Sequence, residues 1–169
     1  MIQKEYVMQM ARYNAWQNNQ LMPLVHQMSE ADLLADRGAF FGSLFSTLNH
    51  ILWGDTLWMS RWCSDVLLPS VPSSQHATFT PNIDAWGAER IRLDGRIRNW
   101  AGTVSDVELC DDLEWTSQML GKTITQPLGL CVVHMFNHQT HHRGQISQMF
   151  SAAGLEPPVS DLVFMPDDA

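Results

Sequence analysis

The chain has 169 residues, of which 45% are hydrophobic and only 17% are charged, and this length fits one domain. The composition excludes a disordered chain, a coiled coil and a collagen-like repeat, because enough apolar side chains are present to bury a core. The formal net charge of −8, without any cluster of Lys and Arg, argues against a nucleic acid as a partner.

Hydrophobic periodicity and helix-stop residues predict four long helices, over residues 2–28, 40–66, 82–101 and 127–153. Pro23 lies inside the first helix and is expected to kink it or to split off its last turn. The second helix is apolar nearly all round, so we expect it at the centre of the fold. The exposed face of the third helix is expected to carry Arg90, Arg92, Arg96 and Arg98.

The segments that connect these helices are predicted to be less regular. Residues 68–81 are rich in Pro and Ser and indicate a long loop between the second and third helices. Residues 109–115 and 123–125 indicate a small hairpin or an irregular segment before the fourth helix, and the tail from about residue 155 is expected to be extended. The sequence therefore predicts an all-α fold, a four-helix bundle, in a single domain over residues 1–169.

Apolar runs and cysteines bear on the compartment and on membrane association. No apolar run approaches the roughly 20 residues of a membrane span, and the first residues lack the basic and apolar regions of a signal peptide. Cys63, Cys110 and Cys131 are widely spaced and form no CxxC pair, which favours reduced thiols over a disulfide framework or a zinc ribbon. We expect a cytoplasmic protein that has no membrane partner.

Histidine is concentrated in the fourth predicted helix, where four of the seven histidines fall within nine residues. At 100° per residue, His142 lies about 30° and His138 about 70° from the centre of the apolar face, whereas His134 and His141 lie about 110–130° from it. His138 and His142 thus present two imidazoles to the interior, with the spacing by which one helix supplies two ligands to a divalent metal. The alternative is a pair of hydrogen-bonded core histidines.

His50 is the candidate for a third ligand, because it lies midway along the most apolar helix. Its neighbours one turn away are small and would leave space beside the ring for a metal: Ser46, Thr47 and Gly54. His26 and His76 lie near the ends of predicted elements and are expected to be surface histidines. Three histidines leave coordination positions open, as in catalytic sites, and the absence of HExxH and of Glu-x-x-His pairs excludes zincins and di-iron bundles.

Three segments of the chain together resemble the DinB/YfiT-like family: NHILWGD around His50, HxxNHxxHHRGQ at 134–145 and YNAWQN at 13–18. The resemblance covers nearly the whole chain, and the segment at 134–145 is its most specific part. It implies a four-helix bundle, often a homodimer, that binds a divalent metal through one His on the second helix and an HxxxH pair on the last. In this chain those ligands are His50, His138 and His142.

The resemblance also implies a function, because characterised relatives in this superfamily are metal-dependent thiol transferases and isomerases. We therefore expect a thiol (S-)transferase-like enzyme that acts on a low-molecular-weight thiol and an electrophile. The alternatives are a non-catalytic, metal-binding stress-response protein whose site is structural, and a bundle whose site is empty in the cell. Three imidazoles suit zinc or nickel best, and iron and manganese are further candidates.

Seven further residues are candidates for lining the pocket or supporting the ligands: Asn14, Trp16, Asp55, Asn137, His141, Arg143 and Gln145. Hydrogen bonding between helices explains the polar ones equally well. Arg143 points away from the side of His142 and is expected to pair with an acid such as Asp55. Cys131 is expected to be a buried thiol, and the tryptophans of the second helix, Trp53, Trp58 and Trp62, to lie in the core or at a dimer interface.

Overall fold

The computed structural model describes residues 2–118 and 120–169, and this part of the chain is mostly helical with a small two-stranded sheet. The helices are α1 (Lys4–His26), α2 (Glu30–Leu34), α3 (Leu44–Trp62), α4 (Ile83–Thr103) and α5 (Leu128–Ala152). The strands are β1 (Asp112–Ser117) and β2 (Lys122–Pro127). Such an arrangement is compatible with a helical bundle.

Side-chain caps determine where several helices begin. The hydroxyl of Ser43 accepts a hydrogen bond from the backbone N–H of Ser46, and the side chain of Asn82 accepts one from the N–H of Ala85. The capped helix α3 therefore starts four residues later than the sequence predicted. The short helix α2 was not predicted, whereas α1 continues past Pro23 to His26.

The core lies where the long helices meet, with α1 packed mainly on α4 and α3 mainly on α5. Fully buried side chains come from each of these helices and include Val7, Leu48, Trp86 and Phe136. Burying a side chain of this kind contributes about 1.5–3 kcal/mol relative to leaving it in water. The packing of α3 against α5 brings together the two helices that carry the predicted metal ligands.

One prediction about α4 is wrong. Arg90 was expected on its exposed face, but its side chain is completely buried, and its guanidinium lies 2.7 Å from Oδ2 of Asp55 and 2.6 Å from Oδ1 of Asp94. Arg92 and Arg98 are exposed. Helical periodicity places arginine on the polar face. Burial of Arg90 depends on Asp55, which lies on α3, so the sequence pattern of α4 does not indicate it.

The segment between α3 and α4 folds back onto α3. Nε1 of Trp53 donates to the carbonyl of Val71 at 2.9 Å, and the amide of Asn49 donates to the carbonyl of Ala77 at 3.2 Å. The hydroxyl of Thr80 donates in turn to Oδ1 of Asn49 at 2.7 Å. These bonds fix the short 3₁₀ turn Ser73–Thr78, and with it His76, beside α3.

The remaining segments pack on the outside of the helices. β1 and β2 form an antiparallel hairpin in which Asp112 pairs with Pro127. The tail lies along α1, where the hydroxyl of Tyr13 donates to the carbonyl of Ser160 at 2.6 Å. Within the described ranges, none of the helices is both long and apolar enough to cross a membrane.

Candidate metal centre

Three histidines from two helices converge between α3 and α5. His50, His138 and His142 each offer a nitrogen, and these three atoms lie within 4.8 Å of one another. Nε2 of His50 is 2.9 Å from Nε2 of His138, and the ring centroids of His138 and His142 are 4.5 Å apart. The structure thus brings together the three residues that the sequence selected as ligands.

Gly54 gives the His138 ring its place against α3. A Cβ atom on Gly54 would lie 3.0 Å from Cε1 of His138, tighter than an ordinary van der Waals contact. The sequence predicted that this small residue leaves space beside His50 for a metal, whereas in the structure the ring of His138 packs against Gly54. A side chain at position 54 would press on the His138 ring.

The environment keeps the imidazoles neutral. Burial, together with the smaller effects of the neighbouring His138, His142 and His76, lowers the pKa of His50 to about 3. Burial likewise lowers the pKa of His138 to about 4, with contributions from His142, His134 and His141. The pKa of His142 is also lowered, mainly by burial. Near neutral pH each ring therefore has a nitrogen lone pair available for a metal.

Outer hydrogen bonds orient two of the three rings. Nδ1 of His142 lies 2.8 Å from Oε1 of Gln145, an acceptor, so Nδ1 carries the proton and Nε2 carries the lone pair. Nδ1 of His50 lies 3.1 Å from Nδ1 of His76, and we assign the proton to His50 because its Nε2 faces the cluster. Among the described residues, Nδ1 of His138 is buried without a partner.

Phe41 covers one side of the cluster. Its ring centroid lies 4.1 Å from that of His50, 4.9 Å from that of His76 and 5.3 Å from that of His142. Neither Phe41 nor His76 was predicted to belong here, and His76 is half-buried rather than a surface histidine. Phe41 precedes α3 and His76 lies in the short 3₁₀ turn after it, and in neither segment does a periodic pattern indicate the direction of a side chain.

The other predicted residues divide into three groups. Gln145 and His141 adjoin the cluster, since the ring of the exposed His141 packs 4.8 Å from that of His142. Asn137 is exposed on α5, and Trp16 packs against Tyr13 at 5.9 Å between centroids. The last three are buried and belong to a separate polar network: Asn14, Asp55 and Arg143.

This buried network joins α1, α3, α4 and α5. Arg90 lies between Asp55 and Asp94, the amide of Asn14 donates to Oδ1 of Asp94 at 2.8 Å, and Arg143 donates to Oδ1 of Asn14 at 2.6 Å. The predicted Arg143–Asp55 pair is wrong: Asp55 pairs with Arg90, and no hydrogen bond or ion pair among the described residues joins Asp55 to Arg143. Burial lowers the pKa of Arg143 to about 10, so it remains a cation at neutral pH.

Two clefts lie away from the histidines. They have volumes of about 440 and 560 Å³ and share lining residues of α4 and the segment after α3, including Asp65, Arg92 and Arg96. None of the three clustered histidines lines either cleft. The histidine cluster, in which His50 and His138 are half-buried and His142 is buried, therefore lies apart from both clefts.

Comparison with known proteins assigns the family. The family model described as the DinB family matches residues 1–169, the whole chain, and the chain therefore belongs to this family. This match confirms the resemblance carried by His50 and the histidine-rich segment of α5. A comparison with curated proteins finds no match.

Proposed function

We propose that this member of the DinB family is a four-helix bundle that binds one divalent metal ion through His50, His138 and His142, and that it transfers a low-molecular-weight thiol to an electrophile. The observation that carries the proposal is the convergence of three imidazole nitrogens within 4.8 Å. Neutral imidazoles that face each other without a cation gain little, whereas a cation between them would use all three lone pairs.

The residues present fit a metal ion. Two nitrogens on a tetrahedral zinc ion lie about 3.3 Å apart, given Zn–N bonds of about 2.0–2.1 Å. The 2.9 Å between His50 Nε2 and His138 Nε2 is close to that value, so small ring movements suffice. A set of three imidazoles favours zinc or nickel, with iron and manganese as further candidates.

The chain supplies three ligands, and this number is typical of catalytic rather than structural zinc sites. A cation held by three neutral imidazoles keeps its full charge and would lower the pKa of a thiol bound in an open position. Gln145 and His76 hold two of the rings in orientation, and Phe41 shields one side of the cluster from water. These residues would position the ligands for that chemistry.

A specific observation favours the alternative, a non-catalytic metal-binding protein whose site is structural. Phe41 covers part of the cluster, and the two clefts lie elsewhere. In that case the metal would stabilise the packing of α3 on α5 without reacting. Added thiol would then leave the metal's coordination unchanged.

We also propose that the protein is a cytoplasmic homodimer. Apolar side chains of the tail are strongly exposed in the single chain, among them Val163 at 84% and Phe164 at 68%, and a second copy would cover them. Cys63, Cys110 and Cys131 are free, as expected for reduced thiols in the cytoplasm.

Metal binding is tested by zinc competition and by the metal content of the purified protein. The change is His138→Ala, and the matched control is His134→Ala, which removes an exposed imidazole one turn earlier on the same helix. We expect one metal ion per chain in the wild type and the control, and loss of bound metal in His138→Ala. Stoichiometric metal in His138→Ala would overturn the ligand assignment.

Thiol chemistry is tested on the Co²⁺-loaded protein. A thiol that enters the coordination sphere produces a sulfur-to-cobalt charge-transfer band, and an electrophile should then consume the thiol with turnover. An unchanged cobalt spectrum at saturating thiol would support the structural alternative instead.

A further inference from the structure

A strip of aromatic rings extends from the metal centre along α3 and α5 to the hairpin. The ring of His134 lies 6.1 Å from that of His138, the ring of Trp58 lies 5.0 Å from that of His134, and Trp115 of β1 packs 5.5 Å from Trp58. We call these four residues the aromatic strip. His134 is exposed and the other three are half-buried, so the strip is open to solvent.

The strip ends at Arg61, whose guanidinium carbon lies 4.1 Å from the ring centroid of Trp58 and 4.8 Å from that of Trp115. Among the described residues, Arg61 forms no hydrogen bond and no ion pair, and its Nη1 is buried without a partner. Arg90 and Arg92 of α4, in contrast, each lie against a carboxylate. Within the described part of the chain, the end of the strip therefore carries a positive charge without a counter-ion.

Arg61 and His50 lie on the same side of α3. They are about three turns apart, which places them within about 20° of each other around the helix and roughly 16 Å apart along its axis. Because side chains on a helix tilt toward its N-terminus, the long Arg61 side chain extends toward the histidines and shortens that gap. A thiol about as long as a tripeptide, roughly 10 Å when extended, would cover most of the gap, and its bond to a metal and its hydrogen bonds to the guanidinium would span part of the rest.

We propose that Arg61 binds a carboxylate of the thiol substrate while the sulfur lies at the three-histidine site. This inference rests on the proposed function and deepens it by naming the substrate class: a low-molecular-weight thiol with an anionic group at peptide-like distance from its sulfur. A carboxylate would give the guanidinium the charge-assisted hydrogen bonds it lacks, and the rings of Trp58 and His134 would contact the part between.

The aromatic rings around the Arg61 guanidinium also favour binding of a carboxylate. The centroids of two indole rings lie 4.1 and 4.8 Å from the guanidinium carbon, and these rings partly desolvate the cation, which strengthens its attraction to an anionic acceptor. Burial lowers the pKa of Arg61, yet arginine stays charged at neutral pH. If Arg61 served only to cover the tryptophans, its removal would alter stability and leave thiol affinity unchanged.

The experiment measures binding of glutathione, and of its diethyl ester, to the Co²⁺-loaded protein through the sulfur-to-cobalt band. The two probes have the same thiol, but the ester has no free carboxylate. The variant is Arg61→Gln, and the control is Arg98→Gln, which removes an exposed arginine of α4. The ligand-field bands of cobalt show in each variant that the folded metal centre is intact.

We expect the wild type and Arg98→Gln to bind glutathione roughly 10- to 100-fold more tightly than the diester, and Arg61→Gln to bind the two equally. Equal affinity for acid and ester in the wild type would overturn the inference, and so would a preference that survives in Arg61→Gln. In both cases the band itself would still support thiol binding. Absence of the band with every thiol would instead overturn the proposed function, and this inference with it.

Discussion

Two polar clusters include residues of both α3 and α5: the ion network around Arg90 and the histidine cluster. They differ in the charge of the groups that they bury. The network around Arg90 contains two cations and two carboxylates, and Arg90 lies within 2.7 Å of an oxygen of Asp55 and 2.6 Å of an oxygen of Asp94. The histidine cluster contains neutral rings of one type, with Nε2 of His50 and His138 only 2.9 Å apart. The first cluster balances its own charges, whereas the second consists of neutral nitrogens that could hold a metal ion.

This difference separates a structural role from a binding role. A buried charge is tolerated when it is paired with an opposite charge. Each ion of the network therefore needs its partners, and loss of one would leave another buried and unpaired. Converging neutral imidazoles contribute little to stability by themselves and are organised for a ligand. Substitutions in the network should therefore affect folding, and substitutions around the histidines should affect metal affinity.

The largest expected effect comes from Arg90→Ala. Removing the guanidinium leaves Asp55 and Asp94 buried without their cation, which should lower the free energy of unfolding by about 3–5 kcal/mol. Chemical denaturation of the metal-free protein measures this loss. Arg92→Ala, which removes an exposed ion pair with Glu89 on the same helix, should cost less than about 1 kcal/mol. Equal losses in the two variants would contradict the structural role of the network.

The second effect concerns the outer partner of His50. His76→Ala removes the group that holds Nδ1 of His50, and we expect zinc affinity to fall by roughly 10- to 100-fold with little change in stability. Zinc competition measures the affinity. His76→Asn offers a side-chain acceptor and should recover part of the loss. Full affinity in His76→Ala would show that the ring contact does not orient the ligand.

A smaller effect is expected from Gly54→Ala, because the new methyl group would press on the His138 ring. Displacing that ring from its preferred rotamer costs about 0.5–1.5 kcal/mol, so zinc affinity should fall roughly 2- to 10-fold. Gly95→Ala on α4, where a Cβ meets nothing within 4 Å, is the control and should leave affinity unchanged. The same affinity in Gly54→Ala and the control would mean that the ring moves away freely.

The smallest expected effect is an increase in zinc affinity rather than a decrease. Gln145→Glu replaces the amide acceptor of His142 Nδ1 with a carboxylate, which makes the imidazole a stronger ligand. Zinc affinity should rise by less than about tenfold, and competition against the same chelator measures it. Weaker binding would show that Gln145 does not act through His142.

The sequence predicted the ligands because helical spacing is a local property. His138 and His142 are four residues apart on one face, and His50 lies on the helix with the most apolar pattern. The family resemblance then predicted that His50 of α3 joins the two histidines of α5, and the structure brings the three rings together. The long helices were recognisable for the same reason, with errors of a few residues at their ends.

The missed features depend on contacts between distant segments. His76 reaches the cluster only because Asn49 and Trp53 tether the segment after α3, and no periodic pattern encodes that path. Burial of Arg90 was missed because one of its acid partners, Asp55, lies on another helix, and the other, Asp94, lies one turn later on α4. Nothing in the sequence singled out Arg61, because its contact with Trp115 depends on how the hairpin packs on α3.

The most direct test of the central claim is X-ray absorption spectroscopy of the zinc-loaded protein, compared with His50→Ala. The three-histidine assignment predicts three imidazole nitrogens at about 2.0–2.1 Å, with the outer-shell scattering that imidazole rings produce, and one fewer ring in the variant. A zinc ion surrounded mainly by water or carboxylate oxygens, or a spectrum unchanged by loss of His50, would contradict it.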